Sequence, residues 1–111
     1  MTEQATLEKI KSQVTENPVV IYMKGSPQFP MCGFSSRAAQ ALADTGLPFS
    51  FVNVMDDPQI FEHLPKYADW PTFPQIYIGG ELIGGCDIVL ELAERNDLKQ
   101  MMNEAIENQK A

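Results

Sequence analysis

Five consecutive apolar residues, Val19-Val20-Ile21-Tyr22-Met23, constrain this chain more than any other stretch. They are rich in β-branched and aromatic side chains, so they read as a strand. Successive strand residues point to opposite faces, so an unbroken apolar strand must be covered on both. At 111 residues the chain has room for one core, so residues 1–111 form a single domain. The run is far too short to span a bilayer.

The flanking segments supply the cover. Leu7, Ile10 and Val14 recur at helical spacing, and Asn17-Pro18 ends that helix. After the strand, Pro27 and Pro30 keep the chain irregular until Cys32. A helical, alanine-rich pattern runs from Gly33 to Thr45 and stops at Gly46. Phe49–Asn53 alternates as a strand. Asp56-Asp57-Pro58 opens a helix carrying Ile60, Phe61, Leu64 and Tyr67, with Pro58 at an early position. Gln75–Ile78 and Glu81–Ile83 are strands joined by Gly79-Gly80, a two-residue hairpin signal. Asp87 is expected to cap a helix to about Glu94. A last helix is expected from about Leu98 to Glu107. The order α, β, α, β, α, β, β, α, α makes an α/β fold: a four-stranded mixed sheet with helices on both faces. In such sheets, sites lie beyond the carboxyl ends of strands, where Cys32 falls.

Cys32 opens the sequence Cys32-Gly33-Phe34-Ser35. A thiol at a helix start has its thiolate stabilised by free backbone N–H groups and the helix dipole. Ser35 occupies the place where a Cys-x-x-Cys pair would have its second sulfur. Cys32 therefore needs an outside thiol or a metal. Cys86 is the only other cysteine, and two cannot complete a structural zinc site. Whether Cys86 can bridge to Cys32 depends on a Cα separation that sequence does not give. His63, the only histidine, is expected on a helix at the surface or half-buried, not as a ligand.

Charge excludes some partners. Formal net charge is −7 and no basic run exists, which argues against nucleic acid. Met1-Thr2-Glu3-Gln4 has neither a basic start nor an apolar stretch, so no secretory signal is visible. Free cysteines fit a reducing, cytoplasmic compartment.

Four motifs, Lys24-Gly25-Ser26-Pro27, Cys32-Gly33-Phe34-Ser35, Trp70-Pro71-Thr72-Phe73-Pro74-Gln75 and Gly84-Gly85-Cys86-Asp87, stand in register across the chain. Together they resemble the monothiol glutaredoxins of the thioredoxin fold. The long loop from Lys24 to Cys32 is a further mark of that class. The resemblance implies a glutathione site. In it, Lys24 faces the thiolate and the glycyl carboxylate, and Thr72 adds a side-chain hydrogen bond. Phe73, before a cis Pro74, pairs its backbone with the ligand's cysteine. Cys86 and Asp87 take the γ-glutamyl end.

The resemblance also implies a labile [2Fe–2S] cluster with Cys32 as the protein ligand. Such a cluster wants four ligands, met by two chains and two glutathiones in a homodimer. BolA-type partners and iron–sulfur acceptor proteins are further implications, as is a role in cluster assembly and transfer. The competing activity is glutathione-dependent deglutathionylation, in which Cys32 attacks a mixed disulfide and a second glutathione resolves it. The expected balance is a cluster carrier with at most weak oxidoreductase activity. One departure stands out. Family members often carry an Arg on the third helix that reaches the glycyl carboxylate, and here Phe61 holds that place.

Overall fold

The computed structural model describes residues 2–110. Helix α1 (Glu3–Glu16) is capped by Thr2, whose Oγ1 accepts the Ala5 N–H at 3.0 Å. Strand β1 (Val19–Met23), helix α2 (Gly33–Asp44), strand β2 (Ser50–Asn53) and a 3-10 turn (Val54–Asp56) follow. Helix α3 (Pro58–Tyr67), strands β3 (Gln75–Ile78) and β4 (Glu81–Gly84), and helices α4 (Cys86–Glu94) and α5 (Leu98–Lys110) complete the chain.

The sheet order is β2-β1-β3-β4. β1 runs parallel to β2, with Ile21 opposite Phe51, and antiparallel to β3, with Ile21 opposite Ile76. The β3–β4 hairpin turns at Gly79 and Gly80, whose φ values of 64° and 84° suit only a primed turn.

All five residues of β1 are buried, and the two faces build separate cores. Val19, Ile21 and Met23 pack with Ala38 and Leu42 of α2, Val89 of α4, and Leu98 and Met102 of α5. Val20 and Tyr22 pack with Ile10 and Val14 of α1 and Ile60 and Leu64 of α3. The α2–α4 contact and the α1–α3 contact thus belong to opposite layers. Tyr22 and Tyr77 meet edge to face at 5.5 Å within the second core. Each buried hydroxyl has an acceptor: Tyr22 donates to Gln13 Oε1 at 2.7 Å and Tyr77 to Gln75 Oε1 at 2.9 Å.

Three expectations need correction. Asp87 does not cap α4. The cap position is Gly85, Cys86 is the first helical residue, and Asp87 lies in the first turn. The extended backbone at Gly85 lets the helix begin before Asp87 is reached. The last helix continues past Glu107 to Lys110, with no breaker to stop it. His63 is buried rather than superficial. It lies in the α1–α3 contact, with Nδ1 3.7 Å from Glu3 Oε1 and Nε2 3.7 Å from Glu62 Oε2.

Helix α3 is also tied to α1 by charge. Lys9 Nζ lies 2.8 Å from Asp57 Oδ2, while Asp57 Oδ1 accepts the Ile60 N–H as the helix cap. The Lys9 contact, followed by that N–H bond, holds the Asp57 carboxyl below its ordinary range. No helix among the described residues is long and apolar enough to cross a membrane.

Candidate functional site

Cys32 is the N-cap residue of α2, with extended backbone (φ −155°, ψ 136°) and a carbonyl that accepts the Ser36 N–H at 2.9 Å. Its thiol is half-exposed. The first helical N–H groups have no intrahelical partner and are left to the thiol. The Ser35 N–H makes the largest contribution to holding the thiol below its ordinary pKa. Partial burial opposes it as the second-largest effect, and the Phe34 N–H, the Lys24 ammonium and the Ser35 hydroxyl add smaller contributions that lower the pKa further.

The loop before Cys32 is built rather than loose. Gly25 and Pro30 bridge across it, and Met31 N–H donates to Lys24 C=O at 2.9 Å. Ser26 and Phe29 exchange backbone hydrogen bonds at 3.2 and 3.1 Å. Gly25 sits at φ +91°, where a Cβ would lie 2.4 Å from Phe29 O and 2.7 Å from Met31 N. Two side chains anchor the start of the loop. Asn53 Oδ1 accepts the Gly25 N–H at 3.0 Å, and the wholly buried Ser35 Oγ accepts the Lys24 N–H at 3.2 Å. The loop then lifts Phe29 and Met31 into solvent, 80% and 68% exposed.

A second loop, Trp70–Pro74, has the Phe73–Pro74 peptide in the cis form. Gln75 organises it from inside the core. Its Nε2 donates to Trp70 C=O at 2.8 Å and more weakly to Thr72 C=O at 3.4 Å. Among the described residues, no hydrogen bond engages the Phe73 N–H or C=O, which lie just before the first paired residue of β3. An unpaired extension of a strand can accept a short extended peptide.

Thr72, Phe73, Pro74, Cys86 and Asp87 line one open cavity of about 520 Å³. Phe34 and Trp70 contribute further wall. Cys32 and Lys24 stand outside the cavity lining, and Phe34 links them to it from the first turn of α2. Gly85 is packed so closely that a Cβ would come within 3.3 Å of Pro74 O and 3.5 Å of Trp70 Nε1. That indole nitrogen is buried without a partner. Helix α4 has no side-chain cap, so its first N–H groups face the Asp87 end of the site. Cys86 is buried and, like Cys32, is a free thiol. Among the described residues, no group of three or more His, Cys, Asp or Glu side chains could hold a metal ion.

The arrangement is a low-pKa thiol beside a slot with a free peptide edge and a helix N-terminus. The glutaredoxin family matches residues 19–83. Glutaredoxin 4 of Escherichia coli K12 is 54% identical over 99 residues, covering 89% of this chain and 86% of the relative. The chain belongs to the glutaredoxin family. With Ser35 in place of a second sulfur, it is a monothiol glutaredoxin with the thioredoxin fold. Solved structures agree. The holo form of glutaredoxin C1 from Populus tremula x tremuloides superposes with a TM-score of 0.82 at 32% identity, over 94% of this chain and 92% of that one. A buckwheat glutaredoxin–glutathione complex gives a TM-score of 0.82 at 27% identity, over 93% and 92%.

Several contributors escaped the reading of the sequence. Asn53 reads as an ordinary strand end, yet its side chain holds the start of the active-site loop. Gln75 stands in a quoted motif, but nothing in its spacing signals a buried network. Ser35 reads as a missing sulfur, while it is an acceptor for the Lys24 N–H. Phe34 and Trp70 were legible as apolar residues, not as cavity walls.

Proposed function

We propose that this glutaredoxin binds glutathione and, as two chains with two glutathiones, carries a labile [2Fe–2S] cluster for assembly and transfer. One observation carries the reading. The only half-exposed thiol, Cys32, has its pKa held below the ordinary thiol value at a helix start, and the residue three positions on is a buried serine.

The residues fit glutathione. The ligand's cysteine would pair with the free backbone of Phe73 beside Pro74, with Thr72 adding a side-chain bond. Its γ-glutamyl carboxylate would meet the α4 N–H groups at Cys86 and Asp87, and its ammonium the Asp87 carboxylate. Lys24 is the cation beside the Cys32 thiol, and it would meet the glycyl carboxylate. The buckwheat relative in complex with glutathione supports this reading.

The donor set also fits a shared cluster. One chain offers one accessible thiolate, so four thiolates require a second chain and two external thiols. The surface around Cys32 suits a second chain or a client. Phe29, Met31 and Phe34 are all more than half exposed there, on a chain of net charge −7. Acceptor proteins and a BolA-type partner would use the same face, in a reducing, cytoplasmic compartment. The same thiolate could attack a glutathione mixed disulfide. Without a resolving thiol each cycle would wait for a second glutathione, so turnover should be slow.

Anaerobic reconstitution with iron, sulfide and glutathione tests the reading. A coloured dimer with two irons and two glutathiones is expected, reverting to apo-monomer when glutathione is withdrawn, and absent in Cys32→Ser. A cluster that forms equally well on a monomer without added thiol would refute it. Fast turnover of a glutathionylated substrate by a chain that binds no cluster would favour the oxidoreductase.

A further inference from the structure

Two charged contacts of different kinds join α1 to α3. The first, Lys9 to Asp57 at 2.8 Å, joins groups that stay charged through neutral pH, because the same contact keeps the Asp57 carboxyl below its ordinary range. The second centres on His63, the chain's only histidine. Its Nδ1 lies 3.7 Å from Glu3 Oε1 on α1, and its Nε2 lies 3.7 Å from Glu62 Oε2 on α3. His63 is only 9% exposed, while both glutamates are exposed.

A neutral imidazole has one N–H and one lone pair, whereas an ionised carboxylate only accepts. One nitrogen of a neutral His63 ring must therefore turn a lone pair toward a carboxylate. Nδ1 is buried without a hydrogen-bond partner, and 3.7 Å is too long for a bond at either nitrogen. Only the doubly protonated ring has a donor for each carboxylate. The exposed Glu3 and Glu62 side chains can close the gap by rotation, without moving a helix. The other charged groups on the two helices, Glu8, Lys11, Glu16 and Lys66, are exposed. Among the described residues, no cation other than His63 pairs with Glu3 or Glu62.

We propose that His63 is a proton-operated clasp between α1 and α3. With both ring nitrogens protonated it bridges Glu3 to Glu62; when one proton leaves to solvent the bridge opens. Histidine is the side chain whose charge ordinarily changes between about pH 5 and pH 8. The charged ring gains two partners in the fold that it lacks in the unfolded chain. Its stabilisation is therefore complete at the acid end of that range and is lost as pH rises through it. Burial of the charge acts the other way, and the two carboxylates together offset it. The clasped helix leads into the Trp70–Pro74 loop. The Trp70 N–H donates to Pro65 C=O at 3.0 Å, and Phe61 stacks on Phe73 with ring centroids 5.4 Å apart. Lys9–Asp57 is the permanent tie of this layer and His63 the adjustable one.

Urea midpoints of the full chain at about pH 5.5 and about pH 8 test the clasp. The midpoint lost on His63→Gln should be larger at the acid pH, by roughly 0.2–0.5 M urea, the size of a partly exposed ion pair. Taking the difference between the two chains cancels any titration of the Cys32 thiol. Glu3 and Glu62 are exposed, so Glu3→Gln and Glu62→Gln should fold whatever His63 tolerates. Each should likewise lose more at the acid pH. Glu3 also favours the first turn of α1 by its charge, but that contribution is the same at both pH values. A loss from any of the three substitutions that is equal at the two pH values, or smaller at the acid one, would overturn the proposal. The second of these outcomes in His63→Gln would mean that burial of the charge outweighs the two carboxylates.

Discussion

Gln75→Leu should be costly out of proportion to its conservative shape. Leucine nearly matches glutamine in volume, so the substitution leaves no large cavity. What it removes is a three-point network at a fully buried residue. The Tyr77 hydroxyl loses its acceptor at 2.9 Å, and Trp70 C=O loses a donor at 2.8 Å. The 3.4 Å contact to Thr72 C=O is long and adds little. Tyr77 is 1% exposed, so water cannot replace Gln75 there. A buried hydroxyl without a partner costs about 1–3 kcal/mol, and the half-exposed Trp70 carbonyl adds about 0.5–1. A net loss of about 2–3 kcal/mol follows once the apolar gain of leucine is set against them. Urea denaturation with a double-mutant cycle is the measurement. Tyr77→Phe alone should cost about 1–2 kcal/mol, because it strands Gln75 Oε1. The double variant should cost less than the sum of the singles by about 1 kcal/mol. Trp70 is the chain's one tryptophan, so its emission reports on the loop itself. A red shift in native Gln75→Leu is expected. A loss under about 1 kcal/mol, or strict additivity in the cycle, would refute the idea that Gln75 holds the Trp70–Pro74 loop from the core.

Two further outcomes follow from the loop at Lys24–Cys32. The rate of Cys32 alkylation against pH should inflect below the ordinary thiol value of about 8.5, and Lys24→Ala should move the inflection upward. The sign is fixed because removing a cation disfavours the thiolate; an unmoved inflection would mean that the helix N–H groups act alone. Gly25→Ala forces a Cβ into Phe29 O and Met31 N at positive φ, so the urea midpoint should fall by the equivalent of about 1–3 kcal/mol. An unchanged midpoint would show that the loop can rearrange freely.

The fold was legible because its signals are local and consistent. The apolar run at Val19–Met23, the Gly79-Gly80 turn and the proline at position 58 each dictate geometry without long-range help. The termini of α4 and α5 were less legible. Asp87 is a good cap by type, but a glycine ahead of it can occupy the same position, and sequence does not rank the two. His63 has the polarity of a surface residue; its burial follows from how α3 lies on α1, a tertiary fact. At the site, motifs identified Cys32 and the residues of the slot. Asn53 was not legible as a support, because a side chain-to-backbone bond across 28 residues leaves no periodic trace, and Gln75 was not, because its bonds to Trp70, Thr72 and Tyr77 depend on the path of the loop and the burial of β3.

Ser35 shows how the structure changes the meaning of a residue that the sequence identifies by what it lacks. Read along the chain, it is the absent second thiol of a redox pair. In the fold it is fully buried, and its Oγ accepts the N–H of Lys24 where β1 ends. The same residue's N–H makes the largest contribution to thiolate stability, and its hydroxyl adds to it. One side chain therefore ties the end of β1 to the first turn of α2, the two segments that deliver Lys24 and Cys32. Sulfur is a weaker acceptor than a hydroxyl oxygen and a larger atom, so a cysteine there would loosen this junction in its reduced form. It would also divert the thiolate into a disulfide in its oxidised form. The serine thus does two things at once. It withholds a resolving thiol, and it fixes the charge and the sulfur relative to each other. A thiolate held in place and denied an internal partner is suited to being a ligand, which is the physical link between Cys32-Gly33-Phe34-Ser35 and the proposed carrier role.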